Sequence, residues 1–176
     1  LCENMTGWRN LMTLSSLSFT EGFYGKPRVD TELLRKHHEG LIALSACLSG
    51  EIPRRLCAGD YSGAVEAARQ MADIFGPDHF CIEIQNHRLP EEKQILPQLV
   101  RLARELELPL VATNDCHYLR REDAGMQEIL TCIATNRTLQ DGGRIGFATD
   151  EFYYKTTAEM QALFSAFPEA LENTVK

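Results

Sequence analysis

Apolar positions along this chain switch between helical spacing and short unbroken runs. Met5, Trp8, Leu11 and Met12 recur at helical spacing and predict a helix over residues 1–17, and residues 19–27 read as a Gly-rich turn region. Asp30 or Thr31 supplies a cap for a short helix over 32–38, which Gly40 ends. Residues 41–45 (LIALS) read as a short buried strand. Asp60 caps a helix that runs to Phe75, where Gly76-Pro77 stops it, and residues 80–84 (FCIEI) form the next strand. The clearest helix spans 91–106, with Ile95, Leu99, Leu102 and Leu106 on one face and Pro97 in its first turns. A strand over 110–113 and a helix over about 122–134 follow. Beyond Asn136 the chain turns polar and Gly-rich (QDGGRIG), and Met160, Leu163, Phe164 and Phe167 predict one or two terminal helices.

The expected strands are apolar throughout instead of alternating, so both faces of the sheet are covered. That pattern, in a helix-strand rhythm, predicts an α/β fold with a parallel sheet or a barrel. A chain of 176 residues, 44% hydrophobic and 24% charged, is enough for one ordinary domain with a core. Its net charge of −7 argues against a surface built for wholesale phosphate binding, which needs clustered Lys and Arg. Six cysteines are scattered without paired spacing, which fits reduced thiols in a cytosolic protein. No run approaches the roughly 20 apolar residues of a membrane span. The chain opens without an initiator Met, in mid-pattern, and is expected to be a piece of something larger.

Asp115-Cys116-His117, just past the strand over 110–113, carries the most chemistry. Residues i and i+2 of a strand share a face, so Asp115 and His117 emerge together where parallel α/β sheets keep their sites. On spacing alone the pair reads equally as metal or catalytic ligands and as a helix-capping Asp beside a packed His. Cys116, facing the opposite way, reads as a core thiol. Cys47 directly follows a strand and reads, by itself, as a small buried thiol. His37-His38 reads as a helix end, where cationic side chains suit the dipole. Arg120-Arg121 beside Glu122-Asp123 reads as a solvated helix start. Lys26, Arg28, Arg54 and Arg55 form the one basic cluster suited to a phosphate contact, against an acidic whole.

The segments GKPRVD (25–30), LIALSACLSGEIP (41–53), CIEIQNHRLPEE (81–92), LVATNDCHYLRRED (110–123), FYYKTTAEM (152–160) and FPEALENT (167–174) occur in one order. In that order they resemble the PHP domain of the bacterial DNA polymerase III alpha family, the C-family replicative polymerases. The resemblance covers nearly the whole chain. It implies part of a distorted (β/α)7 PHP barrel of parallel strands, truncated at the N-terminus, with residues 1–155 as its C-terminal part and 156–176 as a helical connection toward a polymerase palm. It also implies that Cys47, Asp115 and His117 are metal ligands at the strand C-terminal ends, a set whose thiolate suits zinc, with manganese or iron as alternatives. Cys116 stands where the family usually has Val, and His87 stands where it usually has His, at the same rim. The family's remaining ligands lie ahead of Leu1, so the isolated chain is expected to be catalytically silent.

For the parent the resemblance implies a cytoplasmic DNA-directed DNA polymerase, a nucleotidyltransferase of DNA replication. Its PHP domain then acts as a 3′-5′ exonuclease or as structural support. Implied partners are DNA, deoxynucleoside triphosphates, a proofreading exonuclease subunit and a sliding clamp, with no membrane. The alternative is a stand-alone PHP phosphoesterase of the histidinol-phosphatase type, against which FYYKTTAEM and FPEALENT stand. A truncated barrel exposes strand edges, so the chain alone is expected to associate or to cover its open edge.

Overall fold

The computed structural model describes residues 1–140 and 147–176. The Gly-rich stretch expected after Asn136 falls largely on 141–146, outside the described residues.

Three parallel strands lie in the order β1 (Ala43–Leu44), β2 (Phe80–Ile84) and β3 (Leu110–Ala112), and so the expected α/β fold with a parallel sheet is present. The register sets Leu44 beside Cys81 and Ile84 beside Ala112, so all three strands end at the same edge. β2 is covered on both faces: Phe80, Ile82 and Ile84 are buried, and so is Glu83 between them. That coverage explains why the strand is apolar at every position but Glu83.

The crossover helices follow from local chemistry. Asp60 caps α4 (Tyr61–Phe75) by accepting the Gly63 N–H at 2.8 Å, and Gly76, at φ 88°, stops it. The buried face of α4 carries Ala64, Ala67 and Ala68, which lets α3 (Glu51–Cys57) lie close against it. α3 is absent from the sequence reading, and it tolerates a proline. Pro53 is the third helical residue, where its missing N–H costs no bond. α5 (Pro90–Glu105) buries Ile95, Leu99 and Leu102 as expected. Pro97, however, sits in its middle rather than its first turns, on the exposed side, where water can satisfy the carbonyl it leaves unbonded.

α1 (Met5–Thr20) is anchored where Gly7 meets Gly40. A Cβ on Gly7 would lie 1.8 Å from the Gly40 carbonyl oxygen, so only glycine permits this approach. The apolar stripe that predicted α1 nevertheless faces solvent: Met5, Trp8, Leu11 and Met12 are all exposed in the described structure. α6 (Ala124–Thr135) does the same with Met126, Ile129, Leu130 and Ile133. It starts two residues later than expected, behind a 3-10 turn over Arg121–Asp123. The short α2 (Thr31–Lys36) is capped by Asp30 and closes at His37, as the sequence implied.

Both sheet edges are covered. Leu1 exchanges backbone hydrogen bonds with Ile42 beside β1, at 2.7 and 3.0 Å. On the far side Asn173 donates from Nδ2 to the Leu110 carbonyl at 2.8 Å. The terminal segment forms α7 (Thr157–Leu163) and α8 (Pro168–Glu172), and its Phe164 and Ala170 belong to the same core as β2 and α5.

α7 opens with a capping box. Glu159 accepts the Thr156 N–H at 2.8 Å and the Thr156 hydroxyl at 2.7 Å, while Thr156 accepts the Glu159 N–H. Tyr153 donates its hydroxyl to Glu159 at 2.5 Å, and this bond, with those from Thr156, pushes the carboxyl down to about 2 from 4.5. A carboxylate whose folded value is depressed stabilises above its unfolded value, and that stability is lost as pH falls through the folded one. Wild type is therefore expected to lose stability from about pH 4.5 down to pH 2 through this group. Glu159→Gln, compared by urea midpoint at pH 7 and pH 3, should be less stable at pH 7 and lose less on acidification. Equal acid losses in the two proteins would contradict the capping role.

Candidate metal-ligand rim

Past their shared edge, the three strands each lead into a turn with a non-glycine residue at positive φ: Ala46 (66°) after β1, Arg88 (62°) after β2 and Asp115 (39°) after β3. Each costs on the order of 1 kcal/mol or more, and such strain gathers at functional sites. At Ala46 the turn aims Cys47 toward the mouth of the sheet, and the Cys47 carbonyl accepts the Gly50 N–H at 2.8 Å. Cys47, Asp115 and His117 then line one open cleft with Gln85, Leu89 and Phe147.

Asp115 and His117 come together, with Oδ1 to Nε2 at 3.4 Å and each about a third exposed. They do so for a different reason than strand alternation, because β3 has already ended at Ala112. The left-handed turn at Asp115 brings the two side chains together, while the Cys116 thiol donates to the Tyr153 carbonyl at 3.6 Å. Cys116 is exposed, and the expectation of a core thiol is corrected accordingly. All six cysteines are free. Thiolate, imidazole and carboxylate make a zinc-compatible donor set. Yet among the described residues no three His, Cys, Asp or Glu side chains converge closely enough to hold a metal ion. The chain thus presents an Asp-His pair and a thiol across one cleft, which is part of a coordination sphere.

Beneath the cleft lies a fully buried histidine. His87, which the sequence puts at the same rim, is fully buried. Its Nε2 donates to the Asn114 carbonyl at 2.9 Å, and its Nδ1 meets the Glu92 carboxyl at 2.5 Å. The other Glu92 oxygen accepts the His87 backbone N–H at 2.6 Å. The carbonyl only accepts, which fixes the hydrogen on Nε2, and one further hydrogen is shared between Nδ1 and Glu92. The ring stacks on Phe152 at 3.9 Å and 8°. Glu83, also buried, accepts from Gln85 at 3.0 Å and from the Thr113 hydroxyl, binding the end of β2 to that of β3. Sequence reasoning passed over Glu83 and Glu92. A carboxylate inside an apolar strand, and one in the first turn of a helix two residues after Pro90, were the available signals.

The returning segment 150–155 is clamped by a third buried carboxylate. Glu151 is 2% exposed and meets three cations: Arg88 at 3.0 Å, Arg121 at 3.0 Å and Lys155 at 3.2 Å. Burial works to raise its carboxyl, and the bonds from Arg121 and Lys155 outweigh it, holding it below the usual range. Arg121 also reaches Asp150 and the Tyr153 hydroxyl, and these partners raise it above its ordinary value, Tyr153 most of all. It is a structural hub, not the solvated helix start expected of it. Asn114 donates from Nδ2 to the Tyr153 carbonyl at 2.7 Å, and the Phe152 carbonyl accepts the His117 N–H at 2.8 Å. The expected basic cluster does not act as one unit, since Arg55 is taken up by Glu51 and Asp60 and Arg28 lies over Tyr24.

Residues 1–87 match the PHP domain family. The whole chain aligns with the DNA polymerase III subunit alpha of Treponema pallidum (strain Nichols) at 50% identity over 176 residues. The same subunit of Thermus aquaticus is 46% identical over 182 residues, and that of Borreliella burgdorferi 44% over 176. In each case all of this chain is covered but only 15% of the relative. Over its full length the chain is thus similar to segments of bacterial DNA polymerase III alpha subunits, with residues 1–87 matching the PHP domain family, and it spans about 15% of the length of the relatives it matches.

Proposed function

We propose that this chain is the later part of a metal-binding PHP domain in a bacterial replicative DNA polymerase, with Cys47, Asp115 and His117 as its metal ligands. The observation that carries the reading is that these three residues line one cleft at the C-terminal edge of a parallel sheet, with Asp115 and His117 already paired. Preceding residues of the longer protein complete the coordination sphere and the distorted seven-stranded barrel, of which β1 to β3 are the late strands. Zinc fits the thiolate best, with manganese or iron as alternatives.

When bound, the metal supplies Lewis acidity and an activated water for phosphodiester hydrolysis, the step of a 3′-5′ exonuclease. The residues of this chain hold and orient rather than move protons. Asp115 and His117 fix one side of the site, Cys47 the other, and Phe147 and Phe152 keep the His117 ring in place. DNA synthesis from deoxynucleoside triphosphates belongs to the rest of the longer polypeptide, as do contacts with a proofreading subunit and a sliding clamp. By itself the chain is catalytically silent. No helix among the described residues is long and apolar enough to cross a membrane. A stand-alone phosphoesterase is disfavoured because the alignment with alpha subunits runs through the whole chain, residues 152–176 included.

The longer protein that carries this chain, purified without chelators, is expected to hold zinc, manganese or iron. Asp115→Ala and His117→Ala should each weaken retention of that metal at least tenfold in competition with a chelator. Wild type devoid of all three metals, or variants that retain metal as wild type does, would sink the assignment.

A further inference from the structure

We infer that His87 is the positioning residue of the Asp115–His117 loop, holding both candidate ligands through their backbone without touching either. This rests on the metal reading above. The loop has little regular structure of its own, since β3 ends at Ala112 and Asp115 adopts a left-handed conformation at φ 39°. An L-residue stays there only where its surroundings dictate it.

One ring supplies the constraint on both sides of the tripeptide. Upstream, His87 Nε2 holds the carbonyl of Asn114, the residue joined to Asp115. Downstream, the ring face lies on Phe152, whose carbonyl accepts the His117 N–H at 2.8 Å. Glu92 then roots the ring in the first turn of α5 through two bonds, to Nδ1 and to the His87 N–H. Ligands held this way depend on the shell behind them, whose loss elsewhere costs about 10- to 100-fold in metal affinity.

Two substitutions separate positioning from general support. His87→Gln places an amide donor near the Nε2 position and keeps a bond to Asn114. His87→Asn reaches only the Nδ1 side, toward Glu92. In the metal-free chain, amide exchange at His117 is expected to accelerate at least tenfold in His87→Asn and by less than about threefold in His87→Gln, while the Ile82 amide in β2 stays protected in both. Uniform acceleration at His117 and Ile82, or no difference between the two variants, overturns the inference.

In the longer protein, with cobalt(II) as the only metal supplied, affinity should fall about tenfold or more in His87→Asn and by less than about threefold in His87→Gln. Equal affinities in wild type and both variants would overturn the positioning role. A wild type that binds no cobalt would overturn the metal reading instead, and the exchange experiment would still decide whether His87 holds the loop.

Discussion

The described structure turns on one buried imidazole. A polar ring taken wholly out of water is tolerable only when its nitrogens are bonded, and leaving one unpaired costs on the order of 1–3 kcal/mol. His87 therefore dictates where three other pieces of chain must be: the first turn of α5 with Glu92, the exit of β3 with the Asn114 carbonyl, and the returning segment with Phe152. Because these pieces are separate in the chain, satisfying the ring sets the shape of the mouth of the sheet. The cleft lined by Cys47, Asp115 and His117 lies above that arrangement.

A second constraint acts on the same segment from the other side. Glu151 is buried, and a buried carboxylate without partners would be far more costly than a neutral group. Arg88, Arg121 and Lys155 answer it from three different parts of the chain. Asn114 links the two buried centres, since its carbonyl serves His87 and its side-chain amide serves the Glu151 and Tyr153 carbonyls. Removing one partner of either centre strands a charge or a donor in the interior. The loop between them is held by polar satisfaction more than by apolar packing, as its exposed Cys116 and partly exposed Asp115 show.

Much of the fold was legible because its signals are local. Asp60 at the start of α4 and Gly76 at its end each act within a single turn, and the apolar run over 80–84 has one reading in a chain of this rhythm. The apolar stripes of α1 and α6 predicted helices correctly, though not what covers them, because spacing reports periodicity and not partners. The candidate ligands were also legible, but the pairing of Asp115 with His117 was expected from strand alternation and comes instead from a left-handed turn. His87, Glu92, Glu151 and Arg121 were misread or overlooked for one shared reason. Each is a charged or polar residue whose meaning lies in partners distant in sequence or in burial, and neither is written in the local pattern.

Sulfur ligation is where the account is most exposed. Zinc X-ray absorption on the longer protein, loaded with zinc, should show one sulfur scatterer at about 2.3 Å that disappears in Cys47→Ser while the nitrogen and oxygen shell remains. A zinc site with no sulfur, or a sulfur signal unchanged in Cys47→Ser, would contradict the rim as the place where the metal is held.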